Sequence, residues 1–155
     1  MALLLLALSA CGSSNAPKAD TVAEAHWSAG MHAWAKGMRD SIDGLSSLFG
    51  HVATVQGLEA GDKRTTATLS RYVGILRGCS ARVRELGAAP ARLELARKEG
   101  LHACGRLQAA AELIRVGVAN LAAGRGMDVL NQASDPLTDG QDAIRRALLD
   151  LTPET

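Results

Sequence analysis

The chain has 155 residues, 47% of them apolar but only 3% aromatic, and 17 Lys+Arg against 16 Asp+Glu leave a formal net charge of +1. That length holds one ordinary domain and not two comfortable ones. The apolar and charged fractions exclude a disordered chain, and the near-zero net charge gives no electrostatic footprint for nucleic acid.

Taken in chain order, residues 1–10 form an apolar run, Met-Ala-Leu-Leu-Leu-Leu-Ala-Leu-Ser-Ala, that stops at Cys11. A bilayer-spanning helix needs roughly twice that length, whereas the core of a signal peptide is this short. Leu8-Ser9-Ala10-Cys11 resembles the lipobox of bacterial lipoprotein precursors, in which a branched apolar residue and two small residues precede an invariant cysteine. No Lys or Arg precedes Cys11, so the segment reads as a leader whose basic start lies upstream or is incomplete. The resemblance implies that residues 1–10 are a cleaved signal segment. It also implies that the Cys11 sulfur carries diacylglycerol on an acylated (palmitate-type) anchor. The protein is then held on the cell membrane or outer membrane, facing an extracytoplasmic, oxidising compartment. Residues 11–18, with Gly12-Ser13-Ser14-Asn15-Ala16-Pro17-Lys18 after the cysteine, have the small, polar composition of a flexible tether.

Residues 19–152 are expected to form an all-α domain, an up-down-up-down four-helix bundle. The first helix starts near Ala19 or Asp20 and places Trp27, Met31, Trp34, Met38, Ile42, Leu45 and Phe49 at helical spacing. Gly50, Gly57 and Gly61-Asp62 are three alternative ends for it. Asp62 has the chemistry of an N-cap for the second helix, which runs to about Leu86. Gly87-Ala88-Ala89-Pro90 is a turn, and the third helix follows from about Ala91 to Ala123. In it Leu93, Gly100, Leu107, Ile114 and Leu121 recur every seven residues, with Cys104, Ala111 and Val118 interleaved. Gly124-Arg125-Gly126 ends it. The fourth helix carries Met127, Leu130, Leu137, Ile144, Leu148 and Leu151, with a kink or break expected at Pro136. No run alternates with the period of a strand.

Cys79 and Cys104 are the cysteines left after Cys11. In an exported protein such a pair is a disulfide candidate. Cys79 extends the Leu69, Val73, Leu76, Val83, Leu86 stripe of the second helix, and Cys104 lies on the third-helix seam. Cys79 is nearer the 87–90 turn than Cys104 is, so a bridge requires an asymmetric turn. The alternative is two unpaired core thiols. No Cys-x-x-Cys marks a redox pair.

Residues 62–125 carry 12 Lys+Arg and 5 Asp+Glu, while residues 126–155 carry 2 and 6. A basic hairpin could attract anionic headgroups or wall polymers, but its arginines are spread around both helices. Local compensation by the acidic helices is therefore expected. Glu99-Gly100-Leu101-His102 has the Glu-x-x-His spacing of di-iron bundles but occurs once and flanks the seam, so it reads as a surface pair. The histidines 26, 32, 51 and 102 are scattered. Neither a haem-attachment motif nor a phosphate loop, dinucleotide fingerprint, zinc-protease helix or nucleophile elbow occurs.

The reading is thus a membrane-anchored lipoprotein whose bundle is a non-enzymatic interaction or scaffold module of the envelope. It assigns no catalytic residue, no metal site and no cofactor. Its partners are the membrane, through Cys11, and an envelope partner, with no nucleic acid. The alternative is an envelope carrier holding a metal, haem or small apolar ligand in a pocket lined by Trp27, Met31, Trp34 and Met38.

Overall fold

The computed structural model describes residues 16–50 and 52–152, with side chains from Thr21 to Gly50 and from Thr54 to Thr152. Regular structure among them is entirely helical: α1 (Ala16–Phe49), α2 (Val52–Glu59), α3 (Lys63–Arg77), α4 (Cys79–Glu85), α5 (Glu94–Ala119), α6 (Gly126–Asn131) and α7 (Ser134–Leu149). Short 3-10 turns at Ala91–Leu93 and Leu121–Ala123 flank α5. The Cys11 anchor, its lipobox and His51 lie outside the described residues.

Helix α1 spans 34 residues and begins at Ala16, with Pro17 in its first turn, where a missing N–H costs no helical hydrogen bond. It buries the stripe Trp27, Met31, Trp34, Met38, Ile42 and Leu45. The helix stops at Phe49, the first of the candidate ends. The chain then makes the extra short helix α2 before Asp62 caps α3, its carboxylate accepting the Thr65 N–H at 2.8 Å. The close of α2 has a definite mechanism. Gly61 sits at φ +70°, the Asp62 N–H donates to the Gly57 carbonyl (2.7 Å), and the Gly61 N–H donates to Leu58 (3.2 Å). This is a Schellman motif, whose left-handed residue is cheapest as glycine. Gly124 repeats it after the second 3-10 turn, at φ +70° with Arg125 N–H to the Asn120 carbonyl.

The second expected helix is two: α3 and α4 meet at Gly78, whose N–H still donates to the Gly74 carbonyl at 3.0 Å. The fourth is also two, and the cause is Pro136. Lacking an N–H, Pro136 cannot bond the carbonyl four residues back, that of Gln132, so α6 cannot run on into α7. The chain turns at residues 132–133, and Pro136 falls in the first turn of α7.

Helix α5 is the hub, packing on α3, α4, α6 and, most extensively, α7. All five heptad residues Leu93, Gly100, Leu107, Ile114 and Leu121 are buried, as are Cys104 and Ala111. Pairwise meetings set directions. A Cβ on Gly30 would strike Leu86 and one on Gly44 would strike Tyr72, so α1 runs antiparallel to the α3–α4 rod. Glu99 pairs with Arg146 and Arg106 with Asp139, so α5 and α7 are antiparallel. Glu24 pairs with Arg92, and Met31 reaches Gly100, so α1 and α5 point the same way.

Cys79 and Cys104 are bonded, with Cα atoms 5.3 Å apart and both side chains fully buried. The required asymmetry is present. Cys79 stands six residues before the end of α4, whereas Cys104 stands ten after the start of α5. The start of α5 therefore overhangs the end of α4 by about 6 Å, and the stretch from Leu86 to Leu93 spans the step. Closing a loop of sequence separation 25 stabilises the fold by roughly 3 kcal/mol in the loop-entropy model.

Two variants check the packing of α5. A Cβ on Gly126 would fall on the backbone of Gly117 and Leu121. Gly126→Ala should cost about 1–3 kcal/mol in denaturant unfolding. Gly105 faces open space within α5, and Gly105→Ala should instead add about 0.5–1 kcal/mol. The α3 cap gives a pH test. Hydrogen bonds from Thr65 hold the Asp62 carboxyl below its ordinary value of 3.8. A lowered folded-state pKa contributes stability that is complete above the ordinary value and lost as pH falls through the lowered one. The gap in unfolding midpoint between wild type and Asp62→Ala should be full at neutral pH and shrink on acidification below that value.

Candidate functional site

The four residues expected to line a pocket are core. Met31 and Met38 are fully buried, and Trp27 and Trp34 nearly so. A Cβ on Gly100 would meet the Met31 methyl and the Trp34 ring, so those side chains occupy the space in front of α5. Trp27 also borders a shallow concavity with Val22, His26 and the 86–90 turn. The indole N–H groups of Trp27 and Trp34 have no acceptor among the described residues.

A more apolar cleft lies elsewhere, at the opposite end of α1. It has a volume of about 360 Å³ and is walled by Leu45, Phe49, Val55, Ile114, Leu130 and Leu137, with Ser46, Asn131 and Ser134 contributing polar groups. Each wall has a local cause. Helix α1 ends at Phe49, α2 follows and contributes Val55, and the Pro136 break separates α6 from α7, which leaves Ala133 at the junction. Met127, expected in the core, stands 43% exposed at the mouth. The Ser134 hydroxyl donates to the Asn131 carbonyl at 2.8 Å, tying the two sides of the break together. Chemically the cleft offers aliphatic and aromatic contact with a few hydroxyl and amide groups, the usual composition of a site for a small, mostly apolar group.

Titratable groups do not converge there. Hydrogen bonding from Arg97 holds Glu94 below the ordinary carboxylate range and lifts Arg97, and Arg115 does the same to Glu112. Both are pairs of neighbours three residues apart on α5, the first half-buried and the second exposed. Glu99 of the Glu-x-x-His motif is engaged by Arg146 at 2.9 Å, and His102, His26 and His32 are exposed. No group of three or more His, Cys, Asp or Glu among the described residues is arranged to hold a metal ion. No helix among them is long and apolar enough to cross a membrane. The hairpin's charge is partly met across helices, where Arg92 binds Glu24 of α1 and Arg106 binds Asp139 of α7.

The heptad pattern could not reveal the cleft. It ranks residues by helical face, and the cleft arises where three helices stop or turn. Its one advance signal was Pro136 beside the apolar residues Met127, Leu130 and Leu137. No family model matches the chain, and no curated protein or solved structure shows significant similarity to it.

If the cleft accepts apolar groups, an environment-sensitive apolar dye should titrate to one site on the protein. Ser134→Trp at the cleft should weaken it by roughly tenfold or more, while Ala88→Trp at the other end should leave the titration unchanged. Equal titrations for the two variants would place the dye elsewhere.

Proposed function

We propose that the chain is an envelope lipoprotein, anchored through lipid on Cys11, whose mature part is a non-enzymatic interaction module. The observation that carries the reading is the buried Cys79–Cys104 bridge. Such a bond is characteristic of an oxidising compartment, and the lipobox-like Leu8-Ser9-Ala10-Cys11 leads to the same side of the membrane. We take the helical rods α1, α3–α4, α5 and α6–α7 as an up-down-up-down four-helix bundle. The antiparallel meetings of α1 with α3–α4 and of α5 with α7 support that topology, as does the common direction of α1 and α5. In this reading the cleft beside Met127 receives an apolar group of a partner molecule, at the end of α1 away from the anchor.

A second reading, carriage of a small apolar molecule, is favoured by the same cleft, whose volume of about 360 Å³ falls within the range of ligand pockets. The two differ in what copurifies: a carrier yields a reproducible excess mass at fixed stoichiometry in native mass spectrometry.

The anchor is tested by Cys11→Ser, which should move the protein from the membrane pellet to the soluble fraction. A variant that still sediments with membranes would refute the lipid anchor. Independently, the denatured, unreduced protein should show no alkylatable thiol at Cys79 or Cys104.

A further inference from the structure

Four large apolar side chains stand well exposed: Val22 (70%), Leu95 (57%), Met127 (43%) and Leu149 (64%). Met127 belongs to the cleft. The other three lie towards the opposite end of the molecule. Arg92 just before α5 pairs with Glu24 near the start of α1, which sets Leu95 about five residues, or roughly 7.5 Å of helical rise, further along the parallel helices than Val22. Leu95 lies one turn before Glu99 on α5, and Leu149 lies three residues after Arg146 on α7. Since Glu99 and Arg146 are paired, Leu95 and Leu149 stand side by side on the next turn of the antiparallel helices.

This end is also where the chain leads back to Cys11. Five residue steps separate Cys11 from Ala16 at the start of α1. Even fully extended they reach no more than about 18 Å, whereas the 34-residue α1 carries the cleft end about 50 Å away. We propose that Leu95 and Leu149, with Val22 at the same end, form a second membrane contact that rests on the bilayer interface once Cys11 is lipidated. The proposal rests on the anchor reading above. It gives the apolar end one occupant, the lipid surface into which the anchor inserts. Of the charged neighbours, Glu99 is paired with Arg146, Glu24 with Arg92 and Glu94 with Arg97, while Lys98 beside Leu95 and Asp150 beside Leu149 are of opposite sign and add no net charge. The contact is therefore apolar and does not require anionic lipid. A patch this small binds membranes weakly by itself. Tethering makes the encounter intramolecular, at an effective concentration in the millimolar range for a short linker, so contact is expected in the anchored protein.

The test uses the full chain purified from membranes and reconstituted into phosphatidylcholine vesicles, with the lipid on Cys11 verified by the mass of its N-terminal peptide. Leu95→Cys, Leu149→Cys and Met127→Cys each receive a fluorescent label, and quenching by lipid spin-labelled near the headgroup is measured. All three positions are solvent-exposed, so the substitutions leave the core untouched. Quenching should be several-fold stronger at 95 and 149 than at 127, and should persist at high salt and at low protein-to-lipid ratio. With lipid present on Cys11, equal quenching at the three positions overturns the membrane contact and leaves the anchor standing. Shielding at 149 that disappears on dilution within the bilayer assigns the patch to a second protein copy and equally overturns it. A Cys11 peptide without lipid overturns the anchor reading and this proposal together.

Discussion

The slenderness of α5 is the constraint on which the remaining packing depends. Its buried positions are mostly alanine and glycine: Ala96, Gly100, Ala103, Ala110, Ala111 and Gly117. Such a helix lets neighbours approach closely, and the bulk they need comes from the other side. Met31 and Trp34 of α1 fill the space over Gly100, and Leu130 of α6 lies over Gly117. Against α7 the roles cross, with Leu107 of α5 seated on Gly140. Large side chains facing small ones interdigitate at the density of a protein interior. That arrangement compensates for a chain with so few aromatics. It also leaves little tolerance for an added methyl group where two backbones meet, as at Gly117 and Gly126.

Much of this was legible in the sequence, because it depends on local periodicity. The α5 heptad, the α1 stripe, the Asp62 cap and the left-handed glycines at the turns each need only a few neighbouring residues to be recognised. What escaped was set by tertiary geometry. Gly78 divides one expected helix into α3 and α4 without losing its hydrogen bond to Gly74, so no local breaker chemistry marks it. The α7 face that meets α5 is Gly140, Ala143 and Ala147, residues that a hydropathy pattern ranks below the half-buried Leu148 and the exposed Leu149. Met127 fits a helical stripe continuous through Pro136, but the break rotates α6 and leaves it at the mouth of a cleft. The expected lining residues of a pocket were real core residues. Only the cross-helix distances around Gly100 show that Met31 and Trp34 occupy the space in front of α5.

Charge follows the same division. The sequence shows a basic middle and an acidic end, and the structure shows part of that imbalance met by pairs between helices. These pairs are exposed and individually contribute little to stability. Their clearer effect is on register, since Glu99 with Arg146 and Arg106 with Asp139 match only when α5 and α7 are antiparallel and correctly offset. The two ends of the domain consequently differ in character. One carries an open apolar cleft with hydroxyl and amide groups on its walls. The other carries the exposed Leu95 and Leu149 on adjacent helices, beside the Glu99–Arg146 pair.

The burial of the Cys79–Cys104 bridge has a consequence for biogenesis. Neither cysteine side chain retains accessible surface, so an oxidant can reach the thiols only while the α4–α5 hairpin is open. Bond formation must therefore precede closure of α1 and α7 over that hairpin. The cysteines are 25 residues apart on consecutive segments, and α1 precedes them in the chain while α7 follows them. The last helix to arrive, α7, would then seal the bond against later reduction. In a cell short of oxidising capacity, molecules would accumulate as open, reduced hairpins exposed to proteolysis, and the abundance of this protein would report on the redox machinery that serves it.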